Sequence, residues 1–377
     1  MNPKTAEHVA LGLSGGVDSS VAALRLLQEG KRVTAVFMKN WEEDDDEDYC
    51  AAEEDLLYAR EVCAQLDLPL RTVNFASEYW DRVFDHFLRE YRAGRTPNPD
   101  VLCNREIKFK AFLDFAMSLG ADCIATGHYA RRDRQDGRMR LLRAADRDKD
   151  QSYFLYMLGQ RELEAARFPL GELRKTEVRE IAREAGFSNH DRKDSTGICF
   201  IGERRFRDFL QRYLPAQPGE IRTLDGALKG RHDGLMYATI GQRHGLGIGG
   251  PGEAWYVAAK DLERNILYVV QGHDHPALYD HSLAADDLHW VSGVAPALPL
   301  SCTARIRYRQ TDEPARVESD GGGAVRVRFE RQQRAITPGQ SVVFYEGEVC
   351  LGGGIIRTAN AADAAVSPRS GVAGQQP

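Results

Sequence analysis

Nowhere in these 377 residues do about 18 apolar residues run together, which excludes an ordinary membrane-spanning helix. The opening "MNPKTAEHVALGLSGG" has neither a basic leader nor a separate apolar stretch before its first strand, so no signal peptide is expected and the chain reads as cytoplasmic. Cysteine is scarce: seven, an odd number, scattered through a long chain, which argues against a disulfide framework. No Cys-x-x-Cys pair and no Cys/His cluster at zinc spacing occurs, which argues against a structural metal. There is no internal repeat.

What is present is ordinary for a globular protein, with 42% hydrophobic and 28% charged residues, and the length calls for two or three domains. The net charge of −6 disfavours a nucleic-acid partner, but the charge is uneven. Much of the acid sits in "WEEDDDEDYC", while "RRDRQDGRMRLLRAADRDK", "RKTEVREIAREAGFSNHDRK" and "ERRFRDFLQRYL" are basic. Such stretches can face phosphates, or they can be plain solvated surface.

Strand and helix patterns alternate through the first half. "HVALGL", "RVTAVFMKN", "PLRTVNF" and "DCIATGHY" read as strands; "SSVAALRLLQEG", "EEDLLYAREVCAQLDL", "EYWDRVFDHFLREYRAG" and "IKFKAFLDFAMSLG" read as helices. This rhythm predicts an α/β, Rossmann-like parallel sheet over residues 1–210, with ligands beyond the carboxyl ends of its strands. A Gly-rich, turn-dense stretch follows, giving a small β-rich domain over 211–280 with "AWYVAAKDLERNILYVVQG" as a hairpin. Alternating segments over 281–360 predict a closed β-barrel, and 361–377 has the composition of a disordered tail.

The stretch "LGLSGGVDSSVAAL" packs Ser14, Gly15, Gly16, Ser19 and Ser20 between the first strand and the first helix. Glycines admit a ligand close to the backbone, the helix start offers free N–H groups, and the hydroxyls of Ser14 and Ser19 add donors: an anion cradle. It lacks the Gly-Lys-Ser/Thr of ATPase loops and the spacing of dinucleotide-binding loops. A tight capped turn alone would need only one Gly and one Ser. Asp18 would repel a polyphosphate unless a cation lay between, which points to a bridging Mg²⁺.

"SGGVDSS" resembles the loop of the ATP-pyrophosphatase superfamily, whose members cleave ATP between its α and β phosphates and activate a carbon by transferring AMP to its oxygen. Read with "TPNPDVLCNREIKF", "ATGHYAR", "DKDQSYFL", "DSTGICFIGERRFRDFL" and "RYRQ", the chain resembles the bacterial tRNA-specific 2-thiouridylase family from residue 8 to about 356. The fold implied is an adenine-nucleotide α-hydrolase-like domain, a small central domain and a tRNA-contacting barrel. The reaction implied is adenylation of the C2 oxygen of the wobble uridine, then sulfur transfer from a cysteine persulfide. Other ATP-pyrophosphatase RNA-modifying enzymes and amide ligases are the alternatives; an amide ligase would need an ammonia source and no cysteine pair.

By this resemblance Cys199 carries the persulfide, Cys103 is the catalytic thiol and Asp100 the general acid/base. Arg105 and a helix start after Cys103 are expected to favour the thiolate. ATP is expected at Gly12, Leu13, Ser14, Gly15, Gly16, Val17, Asp18 and Ser19, with Met38 and Gly127. Asn98, Pro99 and Asp100 are expected against the target base, and His128, Lys149, Asp150, Gln151, Arg307, Tyr308 and Gln340 against tRNA, the Arg307–Tyr308 pair from a barrel strand. The implied partners are tRNAs for Lys, Glu and Gln, a persulfide donor or sulfur-relay protein, and a thiol reductant. Cys63, Cys123, Cys302 and Cys350 read as packing residues, and Cys50 as an exposed one.

Overall fold

In the computed structural model, which describes residues 6–42, 51–193 and 206–359, five strands of the first half form a parallel sheet. They are β1 (His8–Gly12), β2 (Arg32–Lys39), β3 (Leu70–Asn74), β4 (Cys123–Ala125) and, after a hairpin of β5 (Arg131–Gln135) and β6 (Arg138–Leu142), β7 (Ala166–Arg167). The order is β3-β2-β1-β4-β7, so the chain reverses direction across the sheet between β1 and β4. That switch point is where open α/β sheets bind ligands.

Every residue of β1 is buried, because helices cover both faces. Successive side chains point to opposite sides. Val9 and Leu11 join the core under helices Val17–Gln28 and Ala51–Leu66, with Val21, Leu26 and Val62. Ala10 joins the other, with Phe84, Phe87, Phe109 and Phe112.

The central domain is a four-stranded sheet of β8 (Gly219–Thr223), β9 (Leu228–His232), β10 (Trp255–Asp261) and β11 (Ile266–Gln271), with β10 and β11 pairing as the expected hairpin. The barrel follows: β12 (Tyr279–Trp290), β13 (Leu300–Arg305), β14 (Glu313–Gly321), β15 (Ala324–Arg334), β16 (Ser341–Glu346) and β17 (Val349–Ala359). Pairing of β17 with β12 closes it. One feature was not expected: β6 pairs with β17, so the first domain's hairpin extends the barrel sheet and the two domains share strands. No helix among the described residues is long and apolar enough to cross a membrane.

Candidate nucleotide and thiol site

The phosphate loop leaves the carboxyl end of β1. Leu13 is buried and donates its N–H to the Val36 carbonyl at 2.9 Å, which continues the strand by one residue. Gly15 then turns with φ +76°, and a Cβ there would fall 2.1 Å from the Asp55 carbonyl oxygen. Gly16 opens helix Val17–Gln28 without a side-chain cap. Val17 is buried in the core beneath. Gly127, just past β4, lies so close to the first turn of that helix that a Cβ would sit 2.9 Å from the Ser19 nitrogen. Gly12 faces the Met38 methyl, which is half-buried within β2 rather than beyond its end. The expected ATP residues therefore meet in one place.

Two expectations about this loop change. Ser19 Oγ is buried and occupied, accepting the Ser14 N–H at 3.2 Å, donating to the Gly16 carbonyl at 2.9 Å and lying 3.2 Å from the hydroxyl of exposed Ser14, so it shapes the loop. Asp18 already has its cation. Lys175, 7% exposed, places Nζ 2.7 and 2.8 Å from the two carboxylate oxygens, and Tyr129 donates its hydroxyl at 2.8 Å. A magnesium ion held through Asp18 does not fit that arrangement: Lys175 supplies the positive charge that the sequence argument assigned to Mg²⁺. Among the described residues no cluster of three metal-ligating side chains occurs. Asn189, buried, steadies the loop from below with hydrogen bonds of 2.8 Å to the Gly15 carbonyl and 2.9 Å to Ser20 Oγ. Lys175, Tyr129 and Asn189 lay in quoted motifs or basic stretches, yet nothing local marked them; in "ATGHYAR" His128 was chosen and its neighbour does the work. His128 accepts or donates at 2.8 Å with Thr126 Oγ1 and packs on the Phe109 ring. Burial, with Lys108 nearby, holds it well below the ordinary histidine range, so it is neutral.

The thiol segment begins with Asn98, extended as a residue before proline must be, whose side chain accepts the Asp100 N–H at 3.2 Å. Pro99 takes the first helical position, where its missing N–H costs nothing. One helical run then extends from Pro99 to Ser118, wound as a wide π-helix over Cys103–Ala111. Cys103 thus lies inside a helix that starts at Pro99, not ahead of one, and its side chain is 1% exposed. Arg105, expected to act on the thiol, pairs with Glu106 at 3.2 Å. Further along the same run Phe109 touches His128 and Phe112 approaches Gly12, so one rigid element joins the thiol to the nucleotide loop. Cys199 lies outside the described residues, as do Cys50 and the acidic run after Glu42.

The four other described cysteines behave as packing residues. Burial pushes the thiols of Cys63 and Cys123 up to about 11 and those of Cys302 and Cys350 up to about 12, out of reach of neutral-pH thiolate chemistry.

The residues expected on tRNA divide. Arg307 is exposed, and its guanidinium donates to the Ala335 carbonyl at 2.8 Å. It lies with Tyr308 in the turn after β13, not in a strand, and Tyr308 packs its ring 4.5 Å from that of Phe154. Lys149 is half-buried. Asp150 points inward, 1% exposed, with Arg143 at 3.4 Å, Arg305 at 3.6 Å and the Ser152 hydroxyl at 3.0 Å. It therefore cannot touch RNA in this arrangement. Gln151 is spent on the backbone of Tyr129. Gln340 donates to the carbonyls of Thr96 and Pro97 at 2.7 and 3.3 Å, holding the approach to the thiol segment.

A parallel sheet carrying this loop at its switch point defines the ATP-pyrophosphatase class. Three domain models match in sequence: a tRNA methyl transferase HUP domain over residues 7–203, a tRNA methyl transferase PRC-barrel domain over 207–271 and an aminomethyltransferase beta-barrel domain over 280–356. The tRNA-specific 2-thiouridylase MnmA of Methylococcus capsulatus is 62% identical over 93% of this chain and 96% of its own. Those of Pseudomonas aeruginosa (strain LESB58) and Stutzerimonas stutzeri are 59% and 60% identical, covering 95% and 93% of this chain and 96% and 95% of theirs. The chain belongs to the tRNA-specific 2-thiouridylase family.

Proposed function

We propose that the chain is a tRNA-uridine 2-sulfurtransferase that converts the wobble uridine of tRNA to 2-thiouridine, with AMP and pyrophosphate as products. The observation that carries this reading is the single helical run from Pro99 to Ser118, which holds a buried cysteine, Cys103, and sets Phe112 against Gly12 at the start of the nucleotide loop. Uracil C2 is a poor electrophile because oxide does not leave. Adenylation of its oxygen by ATP makes AMP the leaving group and releases pyrophosphate. The loop's open N–H groups, the exposed Ser14 hydroxyl and the helix dipole bind the phosphates. Magnesium, supplied with ATP, would offset phosphate charge without Asp18 as a ligand, since that carboxylate is paired with Lys175.

Sulfur then arrives from a persulfide on Cys199. In one route the Cys103 thiolate attacks the Cys199 sulfur, forms a disulfide and expels hydrosulfide, which attacks C2 and displaces AMP. In the other the persulfide's outer sulfur attacks C2 first, AMP leaves, and Cys103 then frees the product. Both end in a Cys103–Cys199 disulfide that a cellular thiol reopens by exchange. We assign the proton transfer to Asp100, which lies in the first turn of the helix.

The test is direct: full-length protein, Mg-ATP, a persulfide donor and unmodified tRNA, with the nucleosides read by mass spectrometry. The expected result is 2-thiouridine formed one-for-one with pyrophosphate, a persulfide on Cys199, and no thiolation by Cys103→Ala. No 2-thiouridine from the folded wild type, or wild-type rates from Cys103→Ala, overturns the reading.

A further inference from the structure

The two groups that pair with Asp18, the Lys175 ammonium and the Tyr129 hydroxyl, are held in turn by one short segment, residues 146–151. Asp146 Oδ2 accepts the backbone N–H of Lys175 at 2.8 Å, and its Oδ1 accepts that of Asp148 at 3.1 Å. Its charge lies at the start of helix Lys175–Glu184, where the dipole favours an anion. Gln151 Oε1 accepts the Tyr129 N–H at 2.9 Å, and the Gln151 N–H donates to the Tyr129 carbonyl at 2.8 Å. Between these ends Asp150 pins the segment from inside, through Arg143 and Arg305 and through the Ala144 N–H at 3.1 Å. The resemblance puts 149–151 against RNA, but Gln151, with Asp146, bonds the backbone of the residues that pair with Asp18, while Asp150 turns inward to Arg143 and the barrel's Arg305.

We propose that Asp146 and Gln151 are positioning residues of the nucleotide site, holding Lys175 and Tyr129 against Asp18 so that the phosphate loop keeps its binding shape before RNA arrives. The proposal rests on reading the loop as an ATP site. Neither residue touches the loop itself. Each acts through the backbone of the group that does, where a shift of about 1 Å can cost as much as about 10²-fold.

The experiment measures ATP affinity by titration calorimetry without RNA, and affinity for an anticodon stem-loop separately, on the full chain and on Asp146→Ala, Gln151→Leu and Gln151→Glu. Gln151→Glu retains an acceptor for the Tyr129 N–H. Expected are about tenfold weaker ATP binding in Asp146→Ala and Gln151→Leu, the worth of about one hydrogen bond, recovery in Gln151→Glu, melting temperatures unchanged, and stem-loop affinity unchanged in Asp146→Ala. Unchanged ATP affinity with weakened stem-loop binding would make the segment an RNA contact and overturn the proposal. So would ATP loss that only follows a fall in melting temperature, or a Gln151→Glu as weak as Gln151→Leu. A wild type that binds no ATP sinks the functional reading itself, and the proposal with it.

Discussion

The nucleotide half and the thiol half of the site are held in opposite ways. Everything that shapes the phosphate loop comes from the catalytic domain: Ser19, Gly127, Tyr129, Lys175 and Asn189. The approach to Cys103 is gripped from all three domains. Lys260 of β10 donates its ammonium to the Gly94 carbonyl at 2.8 Å, and Leu262 lies against Gly94. Thr239 meets Thr96 at 3.3 Å, and from the barrel the Pro338 carbonyl accepts the Thr96 N–H at 2.9 Å while Gln340 holds Thr96 and Pro97. The groups that touch the phosphate loop therefore come from one domain, with the barrel's Arg305 reaching only Asp150 behind them, whereas the approach to the thiol is held from all three.

The largest effect that should separate the halves comes from Gly15→Ala. A Cβ at this left-handed position would collide with the Asp55 carbonyl, so either the loop or the neighbouring helix must move. ATP affinity is expected to fall by about 100-fold or more, the worth of about two hydrogen bonds from loop N–H groups to charged phosphate oxygens, while stem-loop binding stays within twofold. Equal loss of both would break the distinction. Next comes Lys175→Met, which leaves the Asp18 carboxylate facing phosphate with only the Tyr129 hydroxyl as its described partner. Losing one buried, charged hydrogen bond is worth about 2 kcal/mol, or about 30-fold in ATP affinity, with Lys175→Arg recovering part of it. Wild-type ATP binding in Lys175→Met would show that the loop tolerates a bare Asp18.

On the other side, Lys260→Met removes a donor, not a stem. Burial pulls this ammonium down to about 8, so at neutral pH it remains a charged donor to the Gly94 carbonyl. Thiolation kcat is expected to drop about fivefold with ATP affinity unchanged, through displacement of Asp100 and Cys103 rather than loss of binding. Single-turnover thiolation with saturating ATP reads it; a loss of ATP affinity instead would erase the contrast between the halves.

How legible each half was follows from the same difference. "LGLSGGVDSS" announced its strand, its turn and its helix because the physics of an anion cradle is local. Its need for a cation was legible too, but not that Lys175, so far along the chain, supplies it in place of a metal. Helix onset at Pro99 was written in Asn98-Pro99, yet the apolar pattern starting at Ile107 drew attention to a later start. Strand β12 hides in the sequence because its barrel-core residues Leu283, Ala285, Leu288 and Trp290 break strict alternation among polar neighbours, and β5–β6 because five arginines disguise a hairpin that pairs with the barrel. Asp150 and Gln151 were expected on tRNA from the resemblance, and only the fold shows Asp150 buried and the Gln151 side-chain oxygen on the Tyr129 backbone. The family resemblance carried the thiol roles; no spacing in the sequence implies that Gly94 rests on Lys260.

The smallest effect lies at the amino end of the sheet, away from both halves, and serves as their control. Glu7 bridges Lys31 at 2.9 Å and Arg167 at 2.6 Å, tying the starts of β1 and β2 to β7. The Lys31 hydrogen bond, with Arg167 beside it, lowers the carboxyl to about 2 from an ordinary 4.5, against the opposing pull of burial. A depressed folded-state value means the stabilisation is complete above about pH 4.5 and drains away as pH falls toward 2. Because these charges are partly exposed, solvent screening reduces the gain to about 1 kcal/mol. Glu7→Gln should therefore lose about 1 kcal/mol in urea melts at pH 7, still nearly all of it at pH 5, and visibly less at pH 3.5, with ATP affinity and thiolation unchanged at pH 7. A deficit that stays constant or widens on acidification would mean Glu7 acts through packing. Any change in ATP affinity would mean that the strand ends and the phosphate loop are coupled along β1, and the nucleotide half would then be less self-contained than its contacts indicate.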